Sequence, residues 1–446
     1  MKLLKNVRLS KNFVNILFDE KIRDISCSPF SERDISSVID VKEKLVLPGC
    51  IDPHVHFNDP GFLKNEDFLT GTKSAAAGGV TTIIDMPCTS IPPVTSTQSL
   101  KIKLKAIEPK AFVDFALWGG IRGNSISKGE IIELWKAGVV GFKMYAISGM
   151  ETFKALNYQK IESILKDFSG SDLLFAFHAE DKQIIENATK KIGQKDLKNW
   201  KYYIKSRPCE AEIEAVSQIL KRMSNNRIHF VHISTKGASK KILEAKKSGK
   251  DVTFETCPQY LQFTEQDFSY LLGKLKTAPG VKHQPDKEFL RKCLENSLVD
   301  FVATDHAGCD YEKGKNLADF SKIYCGIPGI ETLVIYIVDE FFLKGKISYQ
   351  NLTNILSANQ AKRYGLFPQK GVIKIGSDAD FTIIDINKPA IFNEQKLSCK
   401  GKYSPFHNRK FNCSINNTIV RGKSVYSKEF GFTGKQGYGR FIKQNR

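Results

Sequence analysis

His54 and His56 are separated by one residue inside the run CIDPHVHF, so in an extended strand both imidazoles face the same way. Four more apolar runs carry a group of similar kind at their C-terminal end. These are Lys143 in VVGFK, His178 in LLFAFH, His232 in IHFVH and Asp305 in LVDFVATD. Imidazole and carboxylate suit zinc and related divalent ions. A lysine ammonium repels metal, but an amine kept from water loses its proton readily, and the neutral amine adds CO2 to give a carbamate. A carboxylated Lys143 offers two anionic oxygens and bridges two metals as a long glutamate would. With four histidines and one aspartate there are then enough ligands for two ions. Two ions roughly 3.5–4 Å apart share a hydroxide whose pKa falls toward neutrality, and they polarise a carbonyl oxygen. Asp305 is placed to take the hydroxide proton and pass it to a leaving nitrogen. The expected chemistry is metal-assisted hydrolysis of an amide C–N bond. Taken singly, each residue is as well explained as a packed histidine or a solvated lysine; their common position at the ends of runs points to a site.

Eight apolar runs alternate with helical stretches between Pro48 and about Gly345, which predicts parallel strands with helices outside, a (β/α)8 barrel of the TIM type. In such a barrel all the C-terminal strand ends meet at one face. Residues 1–48 show short β segments (NVRLS, FVNILF, DISSVIDV, KLVLP), and β character returns in GVIKIGSDADFTIID and CSINNTIVRGKSVYS. The expected organisation is a barrel over 49–366 beside a small β-sandwich built from 1–48 and 367–446. Residues 346–366 predict a helix with Ser348 as its N-cap. The glycine- and base-rich tail from Phe430 is expected to be either an ordered lid or a frayed end.

The chain has 446 residues, 41% of them hydrophobic and 26% charged, with a mean hydropathy of −0.27, which excludes a disordered or collagen-like chain. No apolar run approaches the ~18 residues of a membrane span, and the N-terminus lacks a signal-peptide core. The net charge of +19 comes from scattered lysines, and the dense stretches Lys182–Lys205 and Lys236–Lys250 suit solvated helix faces better than a nucleic-acid patch. Ten cysteines without a CxxC pair indicate reduced thiols in a cytosol. Asp52 and Asp85 follow apolar runs, where they either orient ligand histidines or hydrogen-bond loops. Cys88 and Cys309 are either pocket-lining thiols or small buried hydrophobes.

From PGCIDPHVHF to GSDADFTIID the chain resembles the cyclic-amide hydrolase branch of the amidohydrolase superfamily, which contains the allantoinase, dihydroorotase and hydantoinase groups. The resemblance implies a barrel with a β-sandwich from both termini. It implies a binuclear centre of His54, His56, carboxylated Lys143, His178 and His232, with Asp305 as ligand and proton shuttle, and a dimer or tetramer. Dihydroorotases usually grip a substrate carboxylate at three positions that here are Asn58, Cys88 and Cys309. Allantoinases are similar to this chain in HVHFN with Asn58, in LWGG, in GFK, in the SRP segment Ser206–Pro208, and in Cys309 four residues after Asp305. The resemblance thus implies allantoin, a neutral ureide, as substrate, with dihydroorotate and then hydantoins as alternatives. DMPCTS, TDHAG and TAPGVK depart from allantoinase, and GIPGIET is closer to dihydroorotase. Asn58, Cys88, Thr277, Ala278 and Cys309 are the expected substrate contacts, with Thr277 and Ala278 offering backbone groups to the ring amide. Arg122, Lys276 and Lys282 are candidates for a carboxylate grip, otherwise solvated surface cations.

Overall fold

The computed structural model describes residues 1–9, 12–31, 35–42, 44–123, 127–193 and 196–444. Ser10 and Asp34 at the ends of two expected β segments, Lys195 in a basic stretch, and the last two residues of the tail lie outside the described residues.

All eight apolar runs form parallel strands. Cys50–Val55, Val80–Asp85 and Asp114–Leu117 pair in that order. Gly119–Gly120, Phe142–Tyr145, Leu174–His178, Arg227–Phe230, Val252–Thr256 and Phe301–Val302 pair in that order. Asp114–Leu117 and Gly119–Gly120 are two parts of one barrel strand joined through Trp118. The ring closes where the His56 N–H donates to His306 O at 2.8 Å. Strands buried on both faces read as continuous apolar runs, which is why the pattern was visible in sequence. Side chains alternate along them: Phe142 and Met144 pack outward against the helices, whereas Trp118, Tyr145, Ala176 and Phe301 pack inward. Helix starts are capped by their own loops. Asp67, Ser127 and Asp181, for example, accept from backbone N–H groups of the following first turn. Ser348 caps the helix that starts at Tyr349 in the same way.

Both chain ends build one continuous sheet of nine strands among the described residues. Lys2–Leu9 lies between Asn12–Phe18 on one side and Ser37–Asp40 with Leu45–Pro48 on the other, and Leu45–Pro48 pairs in turn with Phe381–Asp385. The rings of Phe18 and Phe381 meet at 5.5 Å although two strands separate theirs in the sheet. A flat sheet would hold them at about three strand spacings of ~4.8 Å, so this one curls around its own core of Leu4, Ile16, Val46 and Ile419. As far as Gln444 the tail is neither a lid nor frayed. Gly439 N–H donates to Ala111 O, Phe115 N–H to Arg440 O, and Ile442 N–H to Phe115 O, at 2.7–3.0 Å. It runs along the start of the third barrel strand, opposite the end that carries the ligand-type residues. There Ile442 joins Tyr364 and Leu366 in closing the barrel base. The basic helix Lys236–Lys247 buries Ala238, Ser239, Ile242 and Ala245 and turns its lysines outward. No helix is long and apolar enough to cross a membrane among the described residues.

Sheet and barrel meet over a buried ionic cluster. Lys370 Nζ lies 2.5 Å from Asp114, 2.8 Å from Asp380 and 2.9 Å from Asp378, and Arg421 grips Asp114 through Nε and Nη2 at 3.0 Å. Three carboxylates against two cations, with Lys21 on Asp378 at 2.5 Å, leave no uncompensated charge. Removing Lys370 strands the carboxylates in a dry seam. Lys370→Met is expected to lower the unfolding free energy by about 3–5 kcal/mol, read from a denaturant titration. A loss below about 1 kcal/mol would mean that Arg421 and Lys21 neutralise the cluster by themselves.

Candidate active site

Each ligand-type residue reaches the barrel mouth from a different strand. His54 is the fifth residue of Cys50–Val55, and His56 follows at its end. Lys143 and Tyr145 point inward from Phe142–Tyr145, His178 ends Leu174–His178, and His232 and Asp305 lie just beyond their strands. His232 (φ 41°) and Asp305 (φ 52°) hold left-handed backbone that non-glycine residues rarely adopt. Such strain, of order 1–3 kcal/mol each, turns both side chains back over the barrel axis.

The six side chains converge in two groups around the Lys143 amine. Asp305 Oδ1 lies 3.1 Å from His54 Nε2 and 3.1 Å from His56 Nε2. Across from them His178 Nδ1 and His232 Nε2 are 3.0 Å apart. The His54 and His232 rings stand 5.4 Å apart, which joins the groups. Lys143 Nζ is fully buried and has no hydrogen-bond partner, and His54 Nε2 has none with good alignment. Burial pulls the Lys143 amine down to about 8, against the opposing pull of Cys88, Asp305 and Glu255. Burial likewise lowers His178 and His232, keeping both imidazoles neutral as metal ligands must be. It would raise the Asp305 carboxyl, but the imidazoles of His54 and His56 outweigh it and hold that group well below the usual range. An orphaned buried amine between two sets of converging nitrogen and oxygen donors fits a pair of divalent cations.

Three of the four imidazoles are held from behind. Glu255 Oε1 meets His54 Nδ1 at 2.5 Å, and its other oxygen meets His229 Nε2 at 3.1 Å, whose Nδ1 faces Thr253 Oγ1 at 2.9 Å. The neighbouring histidines hold Glu255 at about 2 despite its burial. Glu180 takes His178 Nε2 at 3.1 Å and is ion-paired to Arg207. His56 Nδ1 faces Thr89 Oγ1 at 3.3 Å and Cys88 Sγ at 3.7 Å. Glu255, His229 and Glu180 were not singled out in sequence, although the alternation of VTFET turns Glu255 inward and FHAE sets Glu180 two residues after His178. Asp52 and Asp85 touch no imidazole. Asp52 accepts from the Thr304 hydroxyl at 2.5 Å and the His54 N–H at 3.3 Å, and Asp85 accepts from the Phe57 N–H at 2.9 Å and from Lys103. They fix the backbone that presents the ligands; burial pushes Asp52 up to about 7.

A cavity of about 310 Å3 opens above this centre, bounded by Tyr145, Met150, Arg207, Ala278, Tyr324 and Cys325, with Cys88 at its floor. Cys88 and Ala278 thus lie where substrate contacts were expected, and Asn58, Thr277 and Cys309 do not. Asn58 (φ 57°) closes a turn, its amide donating to His56 O. Thr277 bonds Pro279 O at 2.7 Å, and Cys309 packs against the Tyr403 hydroxyl. Of the candidate cations none lines the cavity. Arg122 caps Thr152 O, while Lys276 and Lys282 are buried on backbone carbonyls rather than solvated. The cation on the wall is instead Arg207, from the SRP segment. All ten cysteines are free. A larger groove, of about 1010 Å3 between Trp200, Tyr270 and Arg409, holds none of the six converging residues.

A model of the amidohydrolase family matches residues 45–425. The chain is 35% identical to the allantoinase of Rubrobacter xylanophilus, covering 94% of this chain and 91% of that one. It is 34% identical to a probable allantoinase 2 of Dictyostelium discoideum, over 86% of this chain and 79% of the relative. A solved L-hydantoinase (dihydropyrimidinase) from Arthrobacter aurescens shares the fold with a TM-score of 0.94, at 31% identity and 99% coverage of both chains. The barrel, the curled terminal sheet and these similarities together establish that the chain belongs to the amidohydrolase family, in the branch that hydrolyses cyclic amides.

Proposed function

We propose that this protein opens the ring of a cyclic ureide, allantoin to allantoate, at a pair of divalent ions, with Zn2+ the expected metal. The observation that carries the reading is the orphaned Lys143 amine between two facing sets of donors. His54 and His56 with Asp305 would hold one ion and His178 with His232 the other, and a carboxylated Lys143 would supply anionic oxygens to both. When bound, the two ions supply a Lewis acid for the scissile carbonyl and ionise water near neutral pH. Asp305 accepts the proton of the attacking water and returns it to the ring nitrogen as the C–N bond breaks, so that a carboxylate and an open ureide leave. Glu255 and Glu180 keep the protons of His54 and His178 on the nitrogens that face away from the ions. Ala278 offers its backbone to the ring amide. The free thiols suit a reducing cytosol, and the family resemblance implies a homo-oligomer.

Allantoin is preferred to dihydroorotate because Arg122, Lys276 and Lys282 all lie off the cavity wall and Arg207, the cation on it, is already paired with Glu180. The similarity to L-hydantoinase keeps hydantoins as the second reading. The deciding measurement is kcat/KM for allantoin, hydantoin and dihydroorotate on one zinc-loaded preparation. Highest activity on allantoin supports the reading, and highest activity on dihydroorotate overturns it.

Lys143→Ala is expected to lower kcat/KM at least about 100-fold and to cut bound metal below two ions per chain. Short carboxylic acids should restore part of the rate; a fully active variant would remove the bridging role. Asp305→Asn should keep the circular dichroism of the wild type while kcat falls by about 10²–10⁴, and an unchanged kcat rules out the proton shuttle. Glu255→Gln should weaken metal affinity about 10–100-fold, followed by competition with a chelator. Unaltered affinity would reduce Glu255 to a packing role.

A further inference from the structure

Arg207 is the only lysine or arginine on the wall of the 310 Å3 cavity among the described residues. It is built into place. Its Nη1 is bonded to Glu180, its guanidinium lies 6.0 Å over the Tyr203 ring, and Lys282 Nζ holds its carbonyl oxygen at 2.8 Å. The side chain keeps 19% exposure, and its bond to Glu180 leaves donors available on the cavity side. Glu180 is fully buried, and one of its oxygens, Oε1, has no hydrogen-bond partner. Guanidinium and carboxylate therefore form a compensated pair at the rim, and the N–H groups of Arg207 that Glu180 does not engage remain as donors to the cavity.

Such a pair discriminates by chemistry. A neutral carbonyl accepts from the free N–H groups at little desolvation cost. A carboxylate in the same place meets a cation already neutralised, with Glu180 repelling it from behind. Resting on the reading of this chain as a cyclic-ureide hydrolase, we propose that Arg207 selects substrates whose ring carries a neutral, carbonyl-bearing arm such as a ureido group, and that Glu180 makes the same position reject a carboxylate arm.

The test compares ratios of kcat/KM, because damage to the metal centre through His178 lowers all substrates together and cancels. Allantoin carries the ureido arm, hydantoin carries no arm, and dihydroorotate carries a carboxylate. In Arg207→Gln the allantoin/hydantoin ratio is expected to fall at least about tenfold. Arg207→Lys keeps the charge beside Glu180 but loses the planar fork, and should lower the same ratio while metal analysis still finds two ions per chain. In Glu180→Gln the dihydroorotate/allantoin ratio is expected to rise about tenfold. Equal losses on allantoin and hydantoin in both Arg207 variants overturn the proposal and leave Arg207 a support for Glu180 alone. An unchanged dihydroorotate/allantoin ratio in Glu180→Gln overturns the rejection of carboxylates. A wild type that opens neither allantoin nor hydantoin overturns the underlying reading, and is told apart because it fails before any variant is made.

Discussion

A lysine amine buried without a partner is the constraint around which the centre is arranged. Elsewhere in this molecule buried lysines are satisfied: Lys103 by Asp85, Lys370 by three aspartates, Lys276 and Lys315 by backbone carbonyls. Lys143 alone of these sits in the barrel mouth, beside His178 and His232, which burial keeps neutral. The carboxylates nearest to it, Asp305 and Glu255, are already engaged with His54. In the proposed reading, carboxylation with metal binding would turn this unpartnered amine into the main anchor of the mouth.

That arrangement works only if every donor is aimed. Carboxylates stand behind His54 and His178, and each fixes which ring nitrogen carries the proton. With its proton on Nδ1 toward Glu255, His54 presents a bare Nε2. With its proton on Nε2 toward Glu180, His178 presents a bare Nδ1, the atom that meets His232. The two supports differ in reach. Glu255 connects inward to His229 and Thr253, into the dry barrel, whereas Glu180 connects outward to Arg207, on the cavity wall. One half of the centre is therefore tied to the core and the other half to the cavity wall.

This difference explains what could be read in the sequence. The barrel was legible because parallel strands buried on both faces leave unbroken apolar runs, and a histidine, lysine or aspartate ending such a run stands out. The groups behind the ligands lie on the same runs but announce nothing: a glutamate in VTFET or after FHA is equally plausible as a solvated residue. The cavity wall was less legible still. Asn58, Thr277 and Cys309 sit at plausible positions in the motifs, yet each is turned aside, Asn58 to His56 O and Thr277 to Pro279 O within their own turns, and Cys309 toward Tyr403 of a distant segment. Loop side chains take their direction from the turns they close and from distant partners, neither of which a motif's residue types encode. The tail misled for a related reason. Its glycines and bases suggest mobility, but its backbone continues the pairing of the third barrel strand, and Ile442 fills the base.

The wall can nevertheless be precise without being legible, because its backbone is secured independently of its side chains. Lys276 Nζ donates to Phe320 O and Ile323 O at 2.6 and 2.7 Å, and Lys315 Nζ donates to Lys276 O and Tyr324 O at 2.9 and 2.8 Å. Two buried lysine amines thus hold by carbonyl oxygens the very segment that presents Tyr324 and Cys325 to the cavity. Carbonyl oxygens are common to all residue types, so a substitution at the wall changes what the cavity recognises while the segment keeps its path. The ligand-type residues, in contrast, stand on the barrel strands or within three residues of their ends. Selectivity can then change at the wall while the barrel keeps its fold, which fits a fold shared with a solved L-hydantoinase at 31% identity.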